Sequence, residues 1–272
     1  MASFDSAYFD IKYLDTLSYK DTAIHRLDPR IKLLTTAIFI LTVVSFSKYE
    51  LTGLAPLLVF PVILVSRAGL PVGLLLKKIV AVSPFAVMVG ALNPLFDQHV
   101  MAHLGGVPIS GGWISFASIL IRFMLTVSAA LILIATTSFP GICLALERLK
   151  VPRALIVQLY FLYYFIFVLM DEALRMVRAR NMRAFDGRGT GLRVYVHLLG
   201  ALFLRAVDRA ERVHQAMFSR AFNGHFYAAR RSGITCQDGI FFLAWAAFFV
   251  LCRWYNISEI IGQAALRVMH MI

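Results

Sequence analysis

The sequence predicts an all-α, polytopic helical membrane protein with about five transmembrane helices and a helical cytoplasmic domain. Three observations lead there. Hydrophobic residues make up 60% of the 272 residues, and the mean hydropathy is +0.75, where soluble domains run closer to half apolar. Several apolar stretches approach the ~20 residues that a helix needs to cross a bilayer. The positive charge is also clustered: the formal net charge is +12, and twelve arginines lie between residues 171 and 238. In so apolar a chain this charge points to cytoplasmic loops facing a lipid bilayer, and no nucleic-acid partner is expected.

Residues 1–30 read as an amphipathic, cytoplasmic N-terminal arm. They lack the charged-then-apolar pattern of a cleaved leader. The arm ends in His25-Arg26-Leu27-Asp28-Pro29-Arg30, followed by Ile31-Lys32-Leu33. Pro29 suits a helix's first turn, with Asp28 as its N-cap. Asp28 and Arg30 therefore read either as a cap with an interfacial anchor or as an assembly contact.

Residues 31–137 read as a four-helix transmembrane part. The crossings are expected at Ile31–Phe46, Leu51–Ser66, Ile79–Leu95 and Ile114–Thr137. Pro56, Pro61 and Pro84 are tolerable because neighbouring helices can re-satisfy the freed backbone. Arg67, Lys77 and Lys78 are placed in the loop before the third crossing. Residues 96–113 have no Lys or Arg and end in Trp113, as an outer loop with an aromatic anchor would. Arg122 falls within the fourth crossing and should face protein or snorkel outward.

Residues 138–238 read as a cytoplasmic domain, and residues 239–272 as the last crossing, Ile240–Cys252, with a C-terminal tail. The apolar, aromatic run 154–170 is ambiguous by hydropathy. If it crossed once, the twelve arginines that follow would lie outside. If it does not cross, every Lys and Arg falls inside except Lys48, Arg253 and Arg267 outside and Arg122 in the membrane. The positive-inside tendency favours the second arrangement. The run is therefore expected along the inner membrane surface or against another membrane protein, as an exposed apolar face that marks an interaction site.

Within that domain a phrase occurs twice. Met182-Arg183-Ala184-Phe185-Asp186-Gly187 returns 37 residues later as Ser219-Arg220-Ala221-Phe222-Asn223-Gly224. Each copy closes an arginine-rich helical stretch, 171–186 and 192–223. Each ends in a glycine suited to positive φ past a helix C-terminus. An arginine there complements the negative end of the helix dipole. A helix from Leu192 to Arg220 spans roughly 40 Å at ~1.5 Å per residue. Antiparallel or crossed packing then holds the two tips about that far apart, suiting two separate sockets. Electrostatics alone needs only charge, not a repeated phrase. Arginine suits a shaped socket because its planar fork pairs bidentately with carboxylates.

Several chemistries are missing. The 187–191 glycines lack the Lys-Ser/Thr of a phosphate-binding loop, so any ATP hydrolysis must come from a partner. No nucleophile elbow, His-Glu-x-x-His or paired carboxylates occur. Neither a catalytic residue nor a cofactor is assigned to this chain. His99 and His103, spaced i, i+4 beside Asp97, are the weak metal candidates. The glycines at 105, 106, 111 and 112 favour a solvated loop instead, and no metal site is expected. Cys143, Cys236 and Cys252 form no metal-spaced pair or disulfide framework.

The chain resembles the transmembrane (T) component of energy-coupling factor (ECF) transporters, a branch of ATP-binding-cassette importers. The resemblance rests on His25-Arg-Leu-Asp-Pro-Arg-Ile-Lys-Leu, the four early crossings, and the two arginine phrases before a last crossing. In that family an X-Arg-X triplet, often Ala-Arg-Gly, ends each of two coupling helices and docks into each of two ATPase subunits. Met182-Arg183-Ala184 and Ser219-Arg220-Ala221 occupy those places, with Ala for the commoner Gly. The resemblance makes 138–238 a coupling domain. It implies as partners two ATP-binding-cassette ATPases, a substrate-binding membrane subunit and a small accessory membrane subunit. The 154–170 surface, with Leu159, Tyr160, Tyr163, Tyr164 and Phe167, would meet the substrate-binding subunit. Asp28, Pro29, Arg30 and Arg122 would be structural anchors. The location implied is a bacterial or archaeal cytoplasmic membrane. Ile11-Lys-Tyr-Leu-Asp15 and the Leu-Asp-Pro-Arg arm look most like cobalt-type members. Competing readings are the same role for nickel or a vitamin, a metal permease acting alone, and a lipid-modifying enzyme that holds phosphates on its arginines.

Overall fold

The computed structural model describes residues 16–48, 50–96, 100–104, 107–183, 191–222 and 235–254. In chain order the helices are α1 (Ala23–Arg26), α2 (Pro29–Ser45), α3 (Val59–Ala68), α4 (Val72–Gly90), α5 (Asn93–Phe96), α6 (Gly111–Thr136), α7 (Phe139–Arg148), α8 (Arg153–Arg183), α9 (Leu192–Ser219) and α10 (Cys236–Trp254). A 3-10 stretch, Thr52–Leu58 with Pro56 inside it, leads into α3. The described residues form two units, residues 16–142 with 235–254, and residues 143–222.

The all-α, polytopic class holds. Helices α4, α6, α8 and α10 are long and apolar enough to cross a membrane, and Thr52–Ala68 is a shorter apolar run. Helix α2 has 17 residues, about 25 Å at ~1.5 Å each, near the short limit for a crossing.

In the first unit α6 packs against α2, α3 and α4, and α10 packs against α2. The centre is aromatic. The Phe39 ring stacks on Phe60 at 4.5 Å, and Phe249 meets them at 5.3 and 5.2 Å. Trp245 sets its edge on Phe60 at 4.9 Å. Between lipid-exposed helices such interlocking supplies the cohesion that apolar burial cannot, because lipid is as apolar as leucine. A Cβ on Gly90 would come within 2.8 Å of Phe116, so the close approach of α4 and α6 requires glycine there.

The structure corrects four boundaries. Lys77 and Lys78 lie inside α4, not in a loop before it, so that helix runs from Val72 to Gly90 rather than over 79–95. Pro71 and Gly69 stop the preceding chain, and long lysines can snorkel from a helix without breaking it. The glycine-rich segment between α5 and α6, expected as a loop, contains an antiparallel hairpin, β1 (Val100–Leu104) with β2 (Val107–Ser110). Apolar residues between glycines pair as strands where no helical period holds them. The run 154–170 and the charged stretch 171–183 are one unbroken 31-residue helix, α8. Periodicity is continuous through Met170-Asp171, and neither glycine nor proline interrupts it. Finally, α9 stops at Ser219, earlier than the expected end at residue 223.

Candidate functional site

The second unit presents the arginine phrases on two long helices. Helices α8 and α9 run antiparallel. Arg180 near the end of α8 faces Tyr195 near the start of α9, with Nη1 donating to the phenol at 3.2 Å and the guanidinium 4.9 Å from the ring centre. Further along, Arg205 of α9 pairs with Glu172 of α8. The two helix C-termini therefore lie at opposite ends of the pair. Met182 and Arg183 close α8, both exposed, and Met182 is 78% exposed. Ser219 and Arg220 close α9, also exposed. Ala184 lies outside the described residues.

The end of α9 is a Schellman turn, with Phe222 N–H donating to the Met217 carbonyl and Ala221 N–H to that of Phe218. Such a turn needs its C′ residue at positive φ. That residue is Ala221, at φ 53°, where the sequence reading expected the stop at glycine. Gly187 and Gly224 lie outside the described residues. Helix α3 ends in the same turn with Gly69 at φ 60°, and α7 with Lys150 at φ 66°. Arg220 is the C-cap of α9, and Phe218 in its last turn is 71% exposed.

On α8, Leu159, Tyr163 and Phe167 follow one another at helical spacing, with Tyr160 and Tyr164 beside them. Tyr163 and Phe167 contact edge to face at 5.0 Å. Tyr164 is exposed, and the other four are half-buried. The apolar window of α8 is 6% buried, the least of the four long apolar helices.

The anchor residues form a polar junction in the first unit. Asp28 N-caps α2, accepting from Arg30 N–H at 2.9 Å, and Pro29 opens the helix. The Asp28 backbone N–H donates to Asp238 Oδ1 at 3.0 Å. Lys32 Nζ donates to the Thr136 carbonyl at 2.8 Å, an orphan acceptor at the negative end of α6. His25 donates from Nε2 to the Leu17 carbonyl at 3.1 Å, and Nδ1 meets the Thr22 hydroxyl at 2.7 Å. Burial, with Lys32 nearby, pulls the His25 pKa below its usual value. Arg122 donates from Nη2 to the Ser47 carbonyl, so this arginine meets protein. The sequence reading missed Asp238, although Thr235-x-x-Asp238 before an apolar run is a capping-box signal.

His99 lies outside the described residues. His103 sits in β1, paired with Pro108. His103 is thus on a strand rather than on the helical turn that a site shared with His99 would use. Among the described residues no group of three His, Cys, Asp or Glu could hold a metal ion.

A family model described as CbiQ, cobalt transport protein, matches residues 20–229. The chain belongs to this family of ECF transmembrane components. A relative named energy-coupling factor transporter transmembrane protein EcfT, from Limosilactobacillus fermentum, is 30% identical over 225 residues, covering 75% of this chain and 81% of that one. The protein of the same name from Bacillus subtilis is 26% identical over 219 residues, covering 74% and 81%. Cobalt transport protein CbiQ of Salmonella typhimurium is 26% identical over 156 residues, covering 53% and 69%. As a T component, this chain is a multi-pass membrane component of a transporter rather than itself a catalyst.

Proposed function

We propose that the chain couples ATP-driven motion to a separate carrier for cobalt ions. Two ATPase subunits would dock on Met182-Arg183-Ala184 and Ser219-Arg220-Ala221. A substrate-binding membrane subunit would rest on the α8 face of Leu159, Tyr160, Tyr163, Tyr164 and Phe167. ATP hydrolysis belongs to the partners. Closure of the ATPase dimer draws the two tips with it, the angle between α8 and α9 changes, and the carrier on α8 tilts. A small accessory membrane subunit completes the assembly, and both helices face the cytoplasm.

One observation carries this reading: two exposed arginine tips close opposite ends of one antiparallel helix pair. At ~1.5 Å per residue α9 alone is about 42 Å long, too far for one small site to use both tips. The cobalt assignment rests on the family description and on the arm's likeness to cobalt-type members.

The test is purification of the tagged chain in mild detergent from its native membrane, with stoichiometry by mass spectrometry. Two ATPase copies and a carrier subunit should accompany each chain, and the complex should take up cobalt. Cobalt uptake by the chain alone in vesicles would overturn the coupling role in favour of a permease.

A further inference from the structure

Two adjoining cavities lie along the α8–α9 pair. The first, about 640 Å³, is apolar, lined among others by Ile166, Met170, Leu174, Leu198, Leu199 and Leu202. The second, about 290 Å³, is lined by Val168, Leu169, Glu172, Arg205, Ala206, Arg209 and Arg212. Leu169 borders both. The larger falls within the ~300–1,000 Å³ of small-molecule sites. Leu199 on its wall is 64% exposed and Ile166 44%, too much apolar surface to leave in water.

The charge beside this groove is unbalanced. Glu172 is the one acid lining the second cavity, and it is taken by Arg205. Asp208 and Glu211 on the same helix do not line it. Among the described residues, no carboxylate pairs with Arg209 or Arg212. An apolar trough that shares a wall residue with a cavity lined by two guanidiniums that no described carboxylate pairs matches a molecule with an acyl tail and an anionic head.

We infer that the α8–α9 crossing holds one anionic phospholipid, its acyl chain in the leucine-lined groove and its phosphate on Arg209 and Arg212. A guanidinium fork binds phosphate oxygens bidentately. Polybasic surfaces beside anionic leaflets gain from the same attraction. The site rests on the proposed position of α8 and α9 at the inner membrane face. It is separate from the arginine tips and leaves Arg183 and Arg220 free.

Leu199→Trp places a reporter on the groove wall. The full-length variant is reconstituted in phosphatidylcholine vesicles containing either brominated phosphatidylglycerol or brominated phosphatidylcholine, with the parent chain as background. The brominated phosphatidylglycerol should quench the added tryptophan more strongly. Arg209→Gln with Arg212→Gln should lower that preference at least about fivefold, roughly what one basic residue contributes near an anionic surface. Equal quenching by the two lipids would overturn the site while leaving the helices at the membrane. Quenching by neither would overturn the site and the membrane position together. In the whole complex the preference should persist, and its loss would assign the groove to a protein subunit instead.

Discussion

The Asp238 carboxylate ties two helix starts that lie 210 residues apart. Its Oδ1 accepts the backbone N–H of Asp28, the N-cap of α2, at 3.0 Å. Its Oδ2 accepts the N–H of Thr235, just before α10, at 2.8 Å. Asp238 is 3% exposed and Asp28 1%, so the Asp28 N–H has no ready water as a substitute, whereas Thr235 is exposed. An orphaned buried donor costs about 1–3 kcal/mol. Asp238→Ala should therefore destabilise the first unit by about 1–3 kcal/mol, chiefly by orphaning the buried Asp28 N–H. Asp238→Asn keeps one carbonyl oxygen and should lose about half as much. Thermal unfolding in detergent at constant lipid measures the order; equal losses for the two variants would contradict the shared-acceptor account.

His25 makes the same junction sensitive to acid. A carbonyl can only accept, so Nε2 carries the proton toward Leu17 and Nδ1 accepts from Thr22. The ring is thus held neutral, and burial followed by Lys32 lowers its pKa from 6.5. With the folded pKa below the unfolded one, the unfolded chain binds the proton more readily. Stability is full above about pH 6.5 and falls as pH drops below it. Melting should therefore come at lower temperature at pH 5.5 than at pH 7.5. His25→Gln should flatten that dependence, and a variant that still follows the original curve would assign the acid sensitivity elsewhere.

Ala221 sits at φ 53°, where Gly69 serves an identical turn at the end of α3. A residue with a Cβ costs roughly 1 kcal/mol in that conformation relative to glycine. Ala221→Gly should stabilise the α9 tip by about that amount, against glycine's greater freedom in the unfolded chain. Hydrogen exchange of the Phe222 and Ala221 amides should slow. Faster exchange would mean that the turn is held by something other than backbone hydrogen bonding.

Sidedness gives a further expectation. In a Cys236→Ser background, with Cys143 and Cys252 buried, Gln215→Cys on α9 provides an exposed thiol. A membrane-impermeant maleimide should label it only in permeabilised cells. Labelling in intact cells would put the arginine-rich pair on the outer face, against the positive-inside tendency.

Much of this was legible in composition and pattern. Hydropathy identified the apolar helices, and the repeated phrase pointed to two helix ends because each followed a long charged run. Asp28-Pro29 announced a capped helix start. The break expected at residue 170 did not appear, because a change from apolar to charged side chains alters the surroundings of a helix without ending its backbone hydrogen bonding. The glycine stop misled for a related reason: local backbone hydrogen bonds at Met217 and Phe218 end α9 before any glycine is reached. Asp238's second partner was out of reach, since nothing local to residue 238 reports a backbone amide 210 residues away.

The account depends most on the two arginine tips. Arg183→Glu and Arg220→Glu, singly and together, should be expressed with the partner subunits and purified through the carrier. Each single variant should retain about half the ATPase, and the double variant almost none, while the chain still inserts and still holds the carrier. Full ATPase stoichiometry in the double variant would contradict the docking role of both tips.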